Sequence, residues 1–492
     1  MPEDAGLKRV ISQTGLYAIG NVAVKASGLL LAPLYLNTSF LSTDAYGHLV
    51  LLEATAQILI PIAGLGIATG MLKFMSDPDE RHDTAAIPFT TLVLSTLLAS
   101  VVFVVTWAAG SPLAAFLTDD PTRVTLTRLM GGYAALKVIS TVPYMLLRVR
   151  ERAGWYTVGI ISEWTVLVIG VYYFLAVREM GLEGVLIAYV ASAGASALVM
   201  TVFMLVHVAW RFDRRLIRNL LRFGVPLVLS AFAGLFLNVG DRYILKWLTD
   251  AETVGVYGWA ARLGGVINML FVQSFQLAFT VIGLKTVGKG DLNLHRRTFR
   301  HYAVWTGWAV LGLSLLSYDL TLLLSTVFNV NPFYLRADPL VFPIALGFLG
   351  YGLYIVVNNI LYATELTHVI SLNVLVAALT NAVLNVLMIP FLGASGAAWA
   401  TVASYALLAW LSARVAERRI HVGYPWRIVW IIAGVVTLLW GVGLLTTEWP
   451  TAARLAIRAA LIALYVPIIY LTGVYTRADL EKGRELLRQR LI

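Results

Sequence analysis

Apolar runs long enough to cross a bilayer recur along all 492 residues, separated by short polar connections. A helix needs about 20 apolar residues to span the hydrocarbon core. An isolated backbone in lipid must satisfy its own hydrogen bonds, so such runs are read as helices. They lie at about 11–36, 46–70, 87–109, 122–147, 155–177, 183–207, 223–247, 253–284, 301–325, 339–363, 369–391, 394–414, 428–446 and 455–474. The expected fold is therefore an all-α integral membrane protein with fourteen transmembrane helices. Only 13% of residues are charged, about half the share in a soluble domain.

The absence of cysteine excludes disulfides, thiolate catalysis and Cys-ligated metals. The opening MPEDAGLKRV is acidic first, and the apolar segment after it is long and carries Lys25. It is read as a first span and not as a signal peptide.

The formal net charge is +10, and its distribution explains it without nucleic acid. With the N-terminus on the cytoplasmic side, 26 of the 37 basic residues fall on cytoplasmic connections and the two termini. Six lie on the opposite side: Arg123, Arg128, Arg178, Arg336, Arg454 and Arg458. Five lie within spans: Lys25, Lys137, Arg242, Lys246 and Arg262. Basic residues collect on cytoplasmic loops, so both termini are expected in the cytoplasm. The tail TRADLEKGRELLRQRLI places Leu480, Leu487 and Leu491 on one face and reads as an amphipathic surface helix.

The chain also repeats itself. Residues 393–410, GASGAAWATVASYALLAW, match 181–198, GLEGVLIAYVASAGASAL, at seven of eighteen positions. Tyr46-Gly47 recurs as Tyr257-Gly258 at nearly the same offset. The period covers six spans, so the copies share an orientation and form parallel repeats. This predicts an N-lobe at 1–209 (spans 1–6), a cytoplasmic linker at 210–222 and a C-lobe at 223–415 (spans 7–12). Two added spans occupy 416–475, and the cytoplasmic tail is 476–492. Gly393 and Gly396, like Gly181 and Gly184, let helices reverse tightly on the outer face, with Pro390 ending the preceding helix.

NVLMIPFLGASGAAWATVAS, DRYIL at 241–245 and TVGVYGWAARL at 253–263 together resemble the polysaccharide-export branch of the MOP flippase superfamily. The resemblance covers essentially the whole chain. It implies two parallel six-helix lobes around a central cavity open alternately to each side, plus the two C-terminal helices. It further implies translocation of a polyprenyl-pyrophosphate-linked oligosaccharide across the bacterial inner membrane. The implied partners are that anionic glycan lipid, membrane lipids and a polysaccharide polymerase or glycosyltransferases. The same fold admits a cation-coupled MATE-like drug exporter or a lipid II flippase.

Ionisable groups within spans are costly and normally face a cavity or a partner. Gln13, Tyr17, Asn21 and Lys25 share one helix face, which either lines the lumen or places Lys25 against Glu53. Gln57 shares a face with Glu53. Asn238, Arg242 and Lys246 form a second such stripe, with Lys246 near the outer end. Arg262 lies about 14 Å below the outer surface by helical rise and is the leading substrate contact. Gln273 and Gln276 suit sugar hydroxyls. Lys137 and Glu163 are either an ion pair or separate lumen groups. Asp319 is expected in solvent at the outer end of its span, and Asn381 and Asn385 in interhelical hydrogen bonds.

Basic groups bind phosphate through charge-assisted hydrogen bonds. The substrate-binding set is therefore Lys25, Arg242, Arg262, Asn21, Gln57, Gln273, Gln276 and Lys137. Glu53, Glu163 and Asp241 are the candidates for ion coupling. Connections are short and carry no metal cluster, catalytic triad or phosphate-cradling glycine loop, which argues against an enzyme or a cofactor.

Overall fold

The computed structural model describes residues 28–76, 83–288 and 292–475. Gln13, Tyr17, Asn21, Lys25 and the amphipathic tail lie outside them. The described residues form helices, with one isolated bridge between Asn37 and Val330. Among the described residues, eleven helices are long and apolar enough to cross a membrane.

After a single turn at Ala32–Tyr35, the helices are α1 (Thr43–Gly64), α2 (Ile67–Ser76), α3 (Ile87–Ala108), α4 (Gly110–Thr118) and α5 (Val124–Val149). Then come α6 (Ala153–Val171), which continues into a π-helical turn at Tyr172–Val177, and α7 (Gly181–Val206). α8 (Arg214–Val239), α9 (Asp241–Leu248) and α10 (Ala251–Ile267) follow. A second π segment, Asn268–Gln273, joins α10 to α11 (Ser274–Gly288). The rest are α12 (Leu292–Phe328), α13 (Asp338–Ala363), α14 (Thr367–Leu392), α15 (Ala394–Arg419), α16 (Trp426–Leu444) and α17 (Thr451–Leu471).

Local chemistry sets the ends. Ser42 caps α1 by accepting from the Ala45 N–H at 3.1 Å, leaving one fewer unsatisfied donor. Span 2 breaks between α1 and α2, where Leu65 and Gly66 are left-handed (φ +43° and +64°). A side chain at Gly66 would place its Cβ 2.8 Å from the Gly224 carbonyl oxygen, so the break is also a close backbone contact with α8. Asp213 caps α8 through the Arg215 N–H at 2.8 Å, and that helix begins within the basic segment. α12 has 37 residues, about 55 Å by helical rise, and so outruns a hydrocarbon core of about 30 Å.

The sequence repeat has a structural counterpart. Gly181 and Gly393 both have φ +56°, and each precedes or opens a 26-residue helix. Three residues on, a Cβ at Gly184 would lie 2.9 Å from the Phe174 carbonyl oxygen, and one at Gly396 would lie 2.7 Å from that of Met388. Both reversals need glycine twice, once for conformation and once for space. Pro390 does not end its helix, which runs on to Leu392. The turn is made by Gly393.

The chain forms two compact units. The first runs to Gly258 and includes Val327–Asn331 and Ala378–Ala397. In it α5 packs against α3, α7 and α1. Its core joins Ile67, Met71, Ile87, Val142, Met204 and Leu220. The second comprises Trp259–Thr326, Pro332–Ala377 and the chain from Ala398 onward. There α13 packs on α11 and the π segment, and α16 packs on α17.

Candidate substrate and coupling site

The first unit gathers a polar cluster on α1, α5, α6 and α7. Lys137 Nζ donates to Glu163 Oε1 at 2.6 Å. The two side chains are 27% and 15% exposed, so this pair is shielded from bulk water. The Tyr189 hydroxyl donates to Glu53 Oε1 at 2.5 Å and lies 3.4 Å from the Tyr35 hydroxyl. Tyr133 stacks at a tilt on Tyr189, with ring centroids 5.3 Å apart. The Tyr144 hydroxyl is 2.9 Å from Ser196 Oγ. Gln57, one turn beyond Glu53, is exposed.

Of the two sequence readings of Lys137 and Glu163, the ion pair is the observed one. The tyrosines were missed. A hydroxyl near a glutamate 136 residues away leaves no local sequence signal.

Around α9 the groups take separate roles. Asp241 is buried at the junction of α8 and α9. Its Oδ1 accepts the Arg242 N–H at 2.9 Å, and its Oδ2 accepts from the Tyr257 hydroxyl. Arg242 points its guanidinium elsewhere, donating from Nη1 to the Asn238 carbonyl at 3.3 Å. Lys246 pairs with Asp119. Tyr243 is fixed by a 2.8 Å hydrogen bond with Thr55 and stacks on Phe116.

The two Tyr-Gly dipeptides of the repeat lie on helices that cross, each glycine packed against the other helix. A Cβ at Gly47 would overlap the Ala251 carbonyl oxygen. A Cβ at Gly258 would lie 2.5 Å from Val50 Cγ2, and one at Gly255 would lie 3.0 Å from the Thr43 carbonyl oxygen. Thr43 Oγ1 donates to Glu252 Oε1 at the same crossing. The first turns of α1 and α10 therefore touch backbone to backbone.

In the second unit Arg262 is half-buried on α10, and Gln273 closes the π segment below it. Gln276 is exposed. Asn268 opens that segment, and its buried Oδ1 has no hydrogen-bond partner among the described residues. π segments are frequent at functional sites.

Two expectations change. Asp319 is not solvated. It accepts from Arg454 Nε and from Arg458 Nη1, each at 2.8 Å, and both arginines are buried (4% and 2% exposed). Tyr318 lies beneath both guanidiniums. Asn385 Nδ2 bonds Asn381 Oδ1 at 2.9 Å within α14, the natural outcome of an i,i+4 spacing, and not across helices.

Polytopic helical architecture, a repeat visible in geometry and buried polar groups within spans define a membrane transporter. Solved structures place it more closely. The chain is similar to the lipid II flippase MurJ in an inward closed conformation, with TM-score 0.74, 12% identity, and coverage of 94% of this chain and 100% of that one. It is also similar to an inward-facing multidrug resistance MATE family transporter of the MOP superfamily, with TM-score 0.63, 16% identity, and coverage of 83% and 94%. A third similarity is to a MOP superfamily transporter from Pyrococcus furiosus described as having a binding pocket of reverse polarity, with TM-score 0.59, 15% identity, and coverage of 84% and 95%. No curated protein matches. The family model described as "Polysaccharide biosynthesis protein" matches residues 10–280. The chain belongs to that family and is a flippase of the MOP superfamily.

Proposed function

We propose that this flippase carries a polyprenyl-pyrophosphate-linked oligosaccharide from the inner to the outer leaflet of the bacterial cytoplasmic membrane, with both termini cytoplasmic. The observation that carries the reading is the state of the charges within spans, taken with family membership. Lys137 already neutralises Glu163, Tyr189 engages Glu53, and Tyr257 engages Asp241. The Arg242 guanidinium has no carboxylate bonded to it among the described residues. That balance favours an anionic headgroup over a cationic drug. A polysaccharide repeat unit fits the family better than lipid II, whose flippase shares the fold.

In this reading two parallel six-helix lobes enclose a cavity, and spans 13 and 14 lie outside them. Lys25, Asn21, Arg242 and Arg262 meet the pyrophosphate, while Gln57, Gln273 and Gln276 meet sugar hydroxyls. Lys137 serves through its pairing with Glu163. The tail stays in lipid while the lobes rock. An inside-negative potential assists an outward-moving anion by roughly 2.3 kcal/mol per charge per 100 mV. Glu53, with its tyrosine donor, is the leading group for ion coupling, ahead of Glu163 and Asp241.

The test is export of the lipid-linked glycan in cells lacking the native flippase and carrying Lys25→Ala or Arg262→Ala. Export falls at unchanged expression if these cations bind the headgroup. Wild-type export in both variants removes the assigned site.

A further inference from the structure

The second unit carries a groove that the transport reading does not use. It has a volume of about 1180 Å³ and lies between α13, α15 and α16. Its wall is smooth because Gly350, Ala406, Ala413 and Ala433 leave space along its length. One end is marked by Arg414 and Arg418, one helical turn apart on α15. Trp410 and Trp430 flank that end with exposed indoles, 45% and 71% accessible. Indoles prefer the headgroup level of a bilayer. The Arg414 guanidinium lies over the Trp410 ring, 5.0 Å from its centroid.

Charge at this mouth selects the occupant. Glu417 also lines it, and one of its carboxylate oxygens is hydrogen-bonded within the chain. Oε1 accepts the Tyr424 N–H at 3.0 Å, and Oε2 is 3.0 Å from His421 Nδ1. Neither Arg414 nor Arg418 has an ion-pair partner among the described residues. Two guanidiniums beside one carboxylate leave a single net positive charge at headgroup depth. That matches one phosphodiester and disfavours a diphosphate, whose extra charge the carboxylate would repel.

We infer that this groove is a binding site for a singly charged anionic glycerophospholipid, with acyl chain along α15 and phosphate between Arg414 and Arg418. The lipid belongs to the leaflet on the arginine side and does not cross with the substrate. Its role is to hold α16 against α13 and α15 through a bound chain. The site stands whether or not the transported molecule is a glycan lipid.

The full-length protein is reconstituted in phosphatidylcholine vesicles containing brominated phosphatidylglycerol, and tryptophan quenching is followed against phosphatidylglycerol content. The difference between the wild type and W410F/W430F isolates the signal of the two indoles at the groove's mouth. The wild type prefers phosphatidylglycerol over phosphatidylcholine by about tenfold, each arginine near the membrane surface supplying a several-fold factor. R414Q/R418Q abolishes the preference, R414K/R418K restores most of it, and A406W, which fills the groove, removes it with both arginines in place. Equal binding of the two lipids by the wild type overturns the proposal, as does a preference that survives R414Q/R418Q. Displacement of the brominated lipid by an equimolar polyprenyl phosphate also overturns it, because the groove would then hold a substrate tail.

Discussion

Replacing Gly47 by alanine adds one methyl group where α1 touches α10. The new Cβ meets the backbone carbonyl of Ala251, which no side-chain rotation can remove. The helices must part there by more than about 1 Å, and overpacking of this kind costs about 1–3 kcal/mol. That cost falls on the state in which the crossing is closed and vanishes once the ends separate. With the lobes rocking as proposed, this crossing would part as the cavity opens outward, and the ratio of open to closed crossings would rise by about 5- to 150-fold. The chain has no cysteine, so a disulfide reporter needs no prior stripping. Thr43 and Glu252, whose side chains bond each other, are replaced by a cysteine pair, and cross-linking is induced by a mild oxidant in membranes. G47A lowers the cross-linked fraction and slows export. A Cβ added at Gly154 would have nothing within 4 Å, and G154A changes neither. Wild-type cross-linking and export in G47A would refute the reasoning.

Two further outcomes follow from the buried charges. D319A leaves Arg454 and Arg458 buried without their shared carboxylate and lowers stability in detergent by about 3–5 kcal/mol, read as a drop in thermal midpoint; D319L/R454M/R458M recovers most of the loss. K137M strands Glu163 and destabilises by about 3 kcal/mol, and the double variant K137M/E163L regains stability, so export measured in the stable double variant separates a structural pair from a transport role.

The spans were legible because lipid imposes a length and a hydropathy that no tertiary contact overrides. The runs at 87–109, 369–391 and 428–446 became Ile87–Ala108, Thr367–Leu392 and Trp426–Leu444. The two tight reversals were legible because glycine is required twice at each, and the register of Gly181 and Gly184 survives at Gly393 and Gly396. Charge partners were not legible. Asp319 lies 135 and 139 residues from its arginines, and helical spacing says nothing across that separation. A signal was nonetheless present. Arg454 and Arg458 are two of the six basic residues on the wrong side of the charge asymmetry, spaced to share a helix face. Basic residues that break the positive-inside pattern need a local reason, and Asp319 near the outer end of its span was a candidate. The π segments and the tyrosine donors to Glu53 and Asp241 had no such trace, since both arise from how neighbouring helices pack.

Under the proposed cycle the crossing of α1 and α10 would open and close. Lipid supplies no hydrophobic force between helices, so association rests on close packing and polar bonds. Here the packing is backbone on backbone at Gly47 and Gly255, with one hydroxyl–carboxylate bond beside it. Large interdigitating side chains would make the closed form hard to leave, whereas glycine gives a close fit with little to disentangle. A substrate whose binding differs between two states by only about 1–3 kcal/mol then suffices to move the equilibrium several-fold or more. Under the proposed rocking of the lobes, the two Tyr-Gly copies would sit at a crossing that forms tightly and parts readily.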